Sequence, residues 1–300
     1  MNELQRIERI RRLAGRLGRP ELILGIGDDC AIYRPERGKD LVFTTDFLIE
    51  GVHFLRDLAP ASAVGHKALA RGLSDVAAMG ASPRFCLLSL ALPLWADDRW
   101  VNGFFQGLLK LASRTNTALA GGDLAKGDKL TADIVVCGAV PQGKALRRDG
   151  AKPGDQIVVS GGLGASGAGF AQRKGKHWQR HLRPEPRLAL GELLGPKLKA
   201  TAAMDISDGL SLDLHRLCAA SGVSASLTGV PVAKGATLEQ ALHWGEDYEL
   251  LFTVPRRVKI PDELAGSPLT VVGEITGGNP GQVLWQGKPL RRGGWDHFAG

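Results

Sequence analysis

Gly25-Ile-Gly-Asp-Asp-Cys-Ala31 follows the apolar run Leu22-Ile-Leu24 and sets two adjacent carboxylates behind a Gly-X-Gly turn. Adjacent Asp residues repel, and Asp is a poor former of helices and strands. Such a pair belongs either on a solvated turn or at a hard cation. Asp oxygens are what Mg²⁺ takes, and glycine lets the backbone approach a ligand closely. The same grammar recurs along the chain: an apolar run, a Gly/Ser/Thr break, then Asp.

Working outward, Leu41-Val-Phe-Thr-Thr-Asp46 reads as a β-branched strand ending on Asp46, with a loop over Glu50-Gly-Val-His-Phe54. Pro60 opens a helix to about Met79, with Val64, Ala68, Leu73, Val76 and Ala77 on its apolar face and Gly80 as its stop. Asp75 lies near the C-terminal end of that helix, where the dipole disfavours a carboxylate and a metal or cation is expected to compensate. An apolar strand over 84–92 and a helix over 97–114 follow. Thr117-Ala-Leu-Ala120 reads as a short strand that breaks at Gly121-Gly-Asp123, and 130–140 as another strand.

Residues 144–155 are polar with Gly and Pro and read as a domain boundary. Beyond them, Gln156-Ile-Val-Val-Ser160 is a strand running into the glycine-rich stretch 161–169. Thr201-Ala-Ala-Met204 leads into Asp205-Ile-Ser-Asp-Gly209 and a helix for which Ser207 or Asp208 is the candidate N-cap. Residues 248–254, 269–272 and 283–285 are further strands. The pattern is mixed α/β in two halves of similar size, 1–145 and 146–300.

The chain has 300 residues, 44% of them hydrophobic and 23% charged, as in ordinary globular proteins. Its net charge of +7 is concentrated at 173–199, most simply a solvated helical face and secondarily a site for a polyanionic small substrate. No zinc-finger spacing or RNP-like aromatic motif supports nucleic acid. The four cysteines are scattered and read as reduced thiols of a cytoplasmic protein. Leu4, Ile7, Ile10, Leu13 and Leu17 form an amphipathic helix rather than a signal peptide, and no apolar run spans a bilayer.

Several chemistries are absent. There is no Walker A sequence, no protein-kinase signature set and no Gly-X-Ser-X-Gly. Gly162-X-Gly164-X-X-Gly167 matches the dinucleotide fingerprint, but no acidic strand end follows at the required distance. The carboxylates remain: Asp28, Asp29, Asp46, Asp75, Asp123, Asp205 and Asp208. Singly, each is more often a turn residue. Gathered, each unit pair at ~4 Å and an effective dielectric of ~20 would cost about 4 kcal/mol. Several Mg²⁺ ions and a phosphate-rich substrate would relieve that repulsion, which points to phosphoryl transfer.

With these residues in hand, the chain resembles the thiamine-monophosphate kinase family of the aminoimidazole-ribonucleotide synthetase superfamily. The matching motifs are the opening stretch, Thr44-Thr-Asp46 with Glu50-Gly-Val-His-Phe54, Lys67-Ala-Leu-Ala-Arg-Gly-Leu-Ser-Asp75 and Gly121-Gly-Asp123. Arg148-Asp-Gly, His181-Leu-Arg-Pro184, Asp205-Ile-Ser-Asp-Gly209, Gly245-Glu-Asp-Tyr-Glu-Leu250 and Gly294-Trp-Asp-His-Phe298 complete the set, in family order across nearly the whole chain.

The resemblance implies a two-domain α/β architecture with mixed sheets: an N-terminal ATP- and metal-binding domain whose sheet pairs with a second subunit's in a homodimer, and a C-terminal α/β domain. It implies ATP, several Mg²⁺ ions and thiamine monophosphate as partners, with thiamine diphosphate as product. Asp29, Thr44, Thr45, Asp46, Asp75, Asp123, Asp205 and Asp208 would ligate metal. Gly122, Asp123, Arg148 and Ser207 would touch ATP, and His53, Glu246 and Trp295 would hold the thiamine monophosphate. No covalent nucleophile is assigned, and Asp28 is left to the turn. Trp244, before Gly245, stands where many relatives carry a small residue. Another ATP-dependent enzyme of the superfamily, or a non-catalytic nucleotide or thiamine-phosphate sensor, is the alternative.

Overall fold

The structure is a computed structural model that describes residues 3–15, 19–27 and 30–295. It divides into two compact units, 1–76 with 82–143, and 77–81 with 144–300.

In the first unit the order is α1 (Glu3–Ala14), β1 (Leu22–Leu24), β2 (Ile32–Tyr33), β3 (Lys39–Ile49), α2 (Ala61–Ala78), β4 (Ser82–Leu92), α3 (Asp98–Arg114), β5 (Ala118–Lys126) and β6 (Thr131–Pro141). The main sheet has the order β3-β6-β4-β5, with only β4 and β5 parallel; β1 and β2 form a separate ribbon. Helix α3 starts where Asp97 accepts the Trp100 N–H at 2.7 Å, a side-chain N-cap. Leu69, Leu73 and Val76 of α2 are buried, each contributing about 2 kcal/mol by leaving water.

Strand β3 alternates cleanly: Leu48 is buried and Thr44 and Asp46 half-buried, while Phe43, Thr45 and Phe47 are exposed. One face of the sheet is therefore open, as an antiparallel edge permits.

Two boundaries differ from expectation. β3 runs three residues past Asp46, and β5 continues through Gly121-Gly122-Asp123 instead of breaking there. Gly122 has φ +151°, and a Cβ on it would lie 1.9 Å from Leu88 O. A register shift at Ala120 precedes the glycines, which then pair with Leu87 and Leu88 at close approach, so the strand goes on. Asp46 and Asp123 are thus mid-strand residues rather than strand-end ones.

The second unit contains β7 (Asp155–Ser160), α4 (Ala165–Gln172), α5 (Gly175–Leu182), α6 (Leu188–Leu198), β8 (Ala202–Ile206), α7 (Leu210–Ser221), β9 (Ser224–Leu227), α8 (Leu238–His243), β10 (Glu249–Pro255), β11 (Glu263–Leu264), β12 (Ser267–Thr276), β13 (Val283–Trp285) and β14 (Lys288–Pro289). Its sheet order is β14-β13-β9-β12-β7-β10-β8, with β11 beside β12. Ile157, Val159, Met204 and Leu251 pack with Leu210, Leu214 and Leu217 of α7. Val158, Leu250 and Phe252, pointing the other way, pack with Leu190 and Leu194 of α6. Cover on both faces is why these strands read as continuous apolar runs.

The basic stretch forms α5 and α6, and it is not wholly solvated. Arg180 and Arg187 turn inward to Glu249.

Candidate active site

In the first unit α2 lies against β3 so that two contacts fall in register. Arg71 Nη2 is 3.2 Å from Asp46 Oδ1, and the Thr44 hydroxyl donates to Asp75 Oδ2 at 2.5 Å. Four helical residues advance about 6 Å and two strand residues about 6.7 Å, so the pairs 71–46 and 75–44 match along antiparallel elements. A metal or cation is the expected compensation for Asp75; the contact seen is the neutral Thr44 hydroxyl, while Asp46 has the chain's own Arg71 beside it.

Thr45 points to the open face, where its hydroxyl donates to Asp133 Oδ1 at 2.6 Å. Asp133 stands opposite Phe47 and Ser89, and Ser89 opposite Asp123. Directly opposed residues share a face, so Thr45, Asp133, Ser89 and Asp123 do too. The expected Thr44-Thr45-Asp46 group therefore splits between two faces. Asp133 and Arg71 were missed by sequence reading; period-two alternation from Thr45 was the available signal for the former.

His53 sits in the loop after β3. The Ile49 N–H donates to its Nδ1 at 3.0 Å, which places the neutral ring's proton on Nε2. Lys67, buried on α2, donates to the His53 carbonyl at 3.1 Å. Asp28 and Asp29 lie outside the described residues, as do Leu17 and residues 296–298. A cleft of ≈ 860 Å³ opens beside Gly27 and Cys30, lined also by Tyr33, Phe85, Phe105 and Gly122.

In the second unit two candidate substrate residues hang from consecutive carbonyls. The Glu246 N–H donates to Ser207 O at 2.7 Å, and the Trp295 N–H to Asp208 O at 3.0 Å. Trp295 is 49% exposed. Neither Ser207 nor Asp208 caps α7 by its side chain. Asp213 does that work from within the helix, accepting the Asp208 and Gly209 N–H groups at 3.1 Å each. Burial, then the Asp208 charge, push Asp213 up to about 7. Arg216 bridges Asp208 and Asp213. Asp205 is buried within β8, where strand alternation turns it with Ala203 toward the α6 side of the sheet. Arg148 is exposed in the loop before β7, and its carbonyl accepts from Ser221.

Glu246 and Tyr248 have φ of +64° and +50°, a left-handed backbone that non-glycine residues rarely adopt. The residues between and after them hold this shape. Asp247, buried, accepts the Gly164 N–H at 2.6 Å and the Ser166 N–H at 3.0 Å. Its carboxylate thus occupies the N-terminus of α4, the place a phosphate would take in a dinucleotide fold. The glycine-rich match at 162–167 is a structural turn whose anion site is filled from within the chain.

Burial pushes the Asp247 carboxyl up to about 6, against those two N–H bonds. The folded protein therefore keeps this proton to a higher pH than the unfolded chain does, from an ordinary value of 3.8. The associated stability is complete below the ordinary value and is lost as pH rises through about 6, a change of about 3 kcal/mol. Denaturant unfolding of parent and Asp247→Asn between pH 4 and 7 checks this. The parent should lose stability relative to the variant across that window; a flat difference would contradict it.

Among the described residues no three His, Cys, Asp or Glu side chains gather as a metal-holding group. Asp46 and Asp208 stand instead beside Arg71 and Arg216, and Asp75 and Asp133 beside the Thr44 and Thr45 hydroxyls.

Residues 27–140 match the family AIR synthase related protein, N-terminal domain, and residues 152–286 match its C-terminal domain. Thiamine-monophosphate kinase of Salmonella typhimurium is 39% identical over 312 residues, 95% of this chain and 94% of that one. The Bacillus subtilis enzyme of the same name is 33% identical over 304 residues, 92% and 93% of the two chains. The crystal structure of thiamine-monophosphate kinase from Stenotrophomonas maltophilia superposes with a TM-score of 0.84 at 36% identity, covering 97% of this chain and 98% of that one. AaThiL complexed with AMPPCP and TMP does so at 0.80 and 34%, covering 99% and 97%. A hydrogenase maturation protein, HypE, in complex with ATP shares the fold at 19% identity and a TM-score of 0.75.

Proposed function

This chain belongs to the thiamine-monophosphate kinase family and is a phosphotransferase that uses ATP to phosphorylate thiamine monophosphate; from that premise we propose how its own residues divide the work. The observation that carries the reading is the pair Glu246 and Trp295, hung from the adjacent carbonyls of Ser207 and Asp208. Trp295 offers a π-face to a flat cationic ring, and Glu246 a carboxylate to its charge or its amino group. His53, with its proton on Nε2, offers a donor to phosphate.

ATP is assigned to Gly122, Asp123, Arg148 and Ser207. In the first unit the cleft beside Gly122 supports this, with Phe105 and Tyr33 as apolar walls for a base. Arg148, exposed and always charged, suits phosphate.

The donors fit Mg²⁺, because all are carboxylate or hydroxyl oxygens, and Thr44 and Asp75 already stand 2.5 Å apart. In the first unit Thr44, Asp46 and Asp75 form one candidate set and Thr45 with Asp133 a second. Asp123 stands two strands from Asp133 on the same face as a separate candidate, and Asp29 belongs with them by motif. In the second unit Asp205 and Asp208 are the candidates. Bound Mg²⁺ would neutralise phosphate charge between donor and acceptor.

The acceptor is a phosphate oxygen, anionic at neutral pH, so no side chain need remove a proton. Transfer is direct and in line, and the side chains hold and align the two anions. No nucleophile is required, and γ-labelled ATP should leave no covalent label on the protein.

We assign a homodimer on the open face of the first sheet, where Phe43 and Phe47 are 62% and 56% exposed. All four cysteines are free, which favours the cytoplasm. Among the described residues no helix is long and apolar enough to cross a membrane.

Coupled ADP release tests the assignment. It should require both thiamine monophosphate and Mg²⁺, and Glu246→Gln should raise KM for thiamine monophosphate about tenfold, the worth of a lost charge-assisted contact. No stimulated ADP release at any Mg²⁺ concentration would overturn the reading.

A further inference from the structure

Residues 290–295 cross α7 and α8 before reaching Trp295, and side chains tie them down at three places. His215 Nε2 lies 3.1 Å from Leu290 O, Arg291 pairs with Glu239, and the Ser211 hydroxyl lies 2.6 Å from Gly293 O.

These ties differ in strength. His215 faces two carbonyls, with Nδ1 also 2.7 Å from Gly281 O. Burial pushes this imidazole down to about 4, so it is neutral and has one N–H, which the shorter contact takes. Arg291 and Glu239 are both exposed, and such a pair contributes little.

Ser211 is fully buried. Its single proton goes to Gly293 O, so the 2.7 Å contact with His243 Nδ1 must be a donation from the ring. A relay results: His243 Nδ1–H to Ser211 Oγ, then Ser211 O–H to Gly293 O. A Cβ on Gly293 would stand 2.3 Å from His243 Nδ1, so the tail is pressed onto the ring at a residue that has none. Two residues on, the Trp295 N–H reaches Asp208 O.

We propose that Ser211 and His243 are positioning residues for the thiamine monophosphate site: their hydrogen-bond relay clamps the tail at Gly293 and thereby fixes Trp295 beside Asp208. The inference rests on the assignment of Trp295 to substrate. Neither residue touches the substrate.

The test uses the full chain with ATP and Mg²⁺, and the variants Ser211→Ala, His243→Phe, Trp295→Ala and Ser211→Ala/Trp295→Ala. Ser211→Ala should raise KM for thiamine monophosphate about fivefold, the loss of one hydrogen bond, with kcat and KM for ATP within about twofold. In the Trp295→Ala background it should add nothing. Hydrogen exchange should quicken in the peptide covering 290–295 and stay unchanged in β10. If Ser211→Ala does not fold, His243→Phe, which keeps the ring and removes the donor, carries the same measurements.

An equal rise in KM for ATP, unchanged exchange of the tail, or a full additional effect in the Trp295→Ala background overturns the proposal. Trp295→Ala with a normal KM removes the premise, and the proposal with it. Trp295→Ala with a raised KM and Ser211→Ala without one removes the proposal alone.

Discussion

Glu249→Ala is expected to destabilise the second unit by about 3–5 kcal/mol, the usual cost of leaving buried cations without their carboxylate. Glu249 opens β10 and is 0% exposed. It accepts from Ser160 Oγ at 2.5 Å and from Arg187 Nε at 2.8 Å, and it is also paired with Arg180. Both arginine side chains are about three-quarters buried, so removing the carboxylate strands two charges in a poorly solvated place. Three residues and one residue before Glu249, Glu246 and Tyr248 keep left-handed backbone because their neighbours hold them. The loss should therefore reach the substrate site as well, raising KM for thiamine monophosphate before the protein unfolds. Equilibrium denaturation and steady-state kinetics on one preparation measure both. A stability change below about 1 kcal/mol would mean that the ion cluster contributes far less than its burial implies.

Asp46→Asn should leave the fold in place and lower turnover by about 10²–10³-fold, which corresponds to 3–4 kcal/mol of lost charge stabilisation. The substitution keeps the shape of the side chain and removes only its charge. Asp46 is half-buried in the middle of an eleven-residue strand whose register with β6 does not depend on that carboxylate. The contact to Arg71 at 3.2 Å weakens but can persist to an amide oxygen. Thermal unfolding should shift by a few degrees at most. Near-normal turnover would contradict the assignment of Asp46 to metal, and a collapse of stability would show the Arg71 pair to be structural.

Much of the element pattern was legible in the chain. The helix opened by Pro60, the apolar strand ending at Leu92 and the strand over 156–160 follow from periodicity and punctuation. The second unit's sheet, covered on both faces, announces itself as unbroken apolar runs. Where expectation failed, local rules had been applied to residues whose neighbours are distant. Gly121-Gly122 is a turn signal by composition, yet β4 lies alongside and pairs both glycines, with the register shift taken up one residue earlier. Ser207 and Asp208 are good caps by type, but Asp213 reaches back and takes the two N–H groups. Arg180 and Arg187 belong to a basic run, but a buried Glu249 some sixty residues later draws them inward.

The sequence by itself determined the two-part α/β plan, the all-oxygen character of the candidate metal residues and the family, because strand and helix periods and ordered motifs are local properties. Only the tertiary structure decided that Thr44 and Asp46 face α2 while Thr45 faces Asp133, that Asp247 fills the anion site at α4, and that the tail bearing Trp295 is clamped by Ser211. Periodicity says that neighbours in a strand point opposite ways; it does not say which face meets a helix. Each of those contacts joins residues brought together by burial of apolar faces elsewhere, and chain spacing carries no record of which partner that burial will deliver.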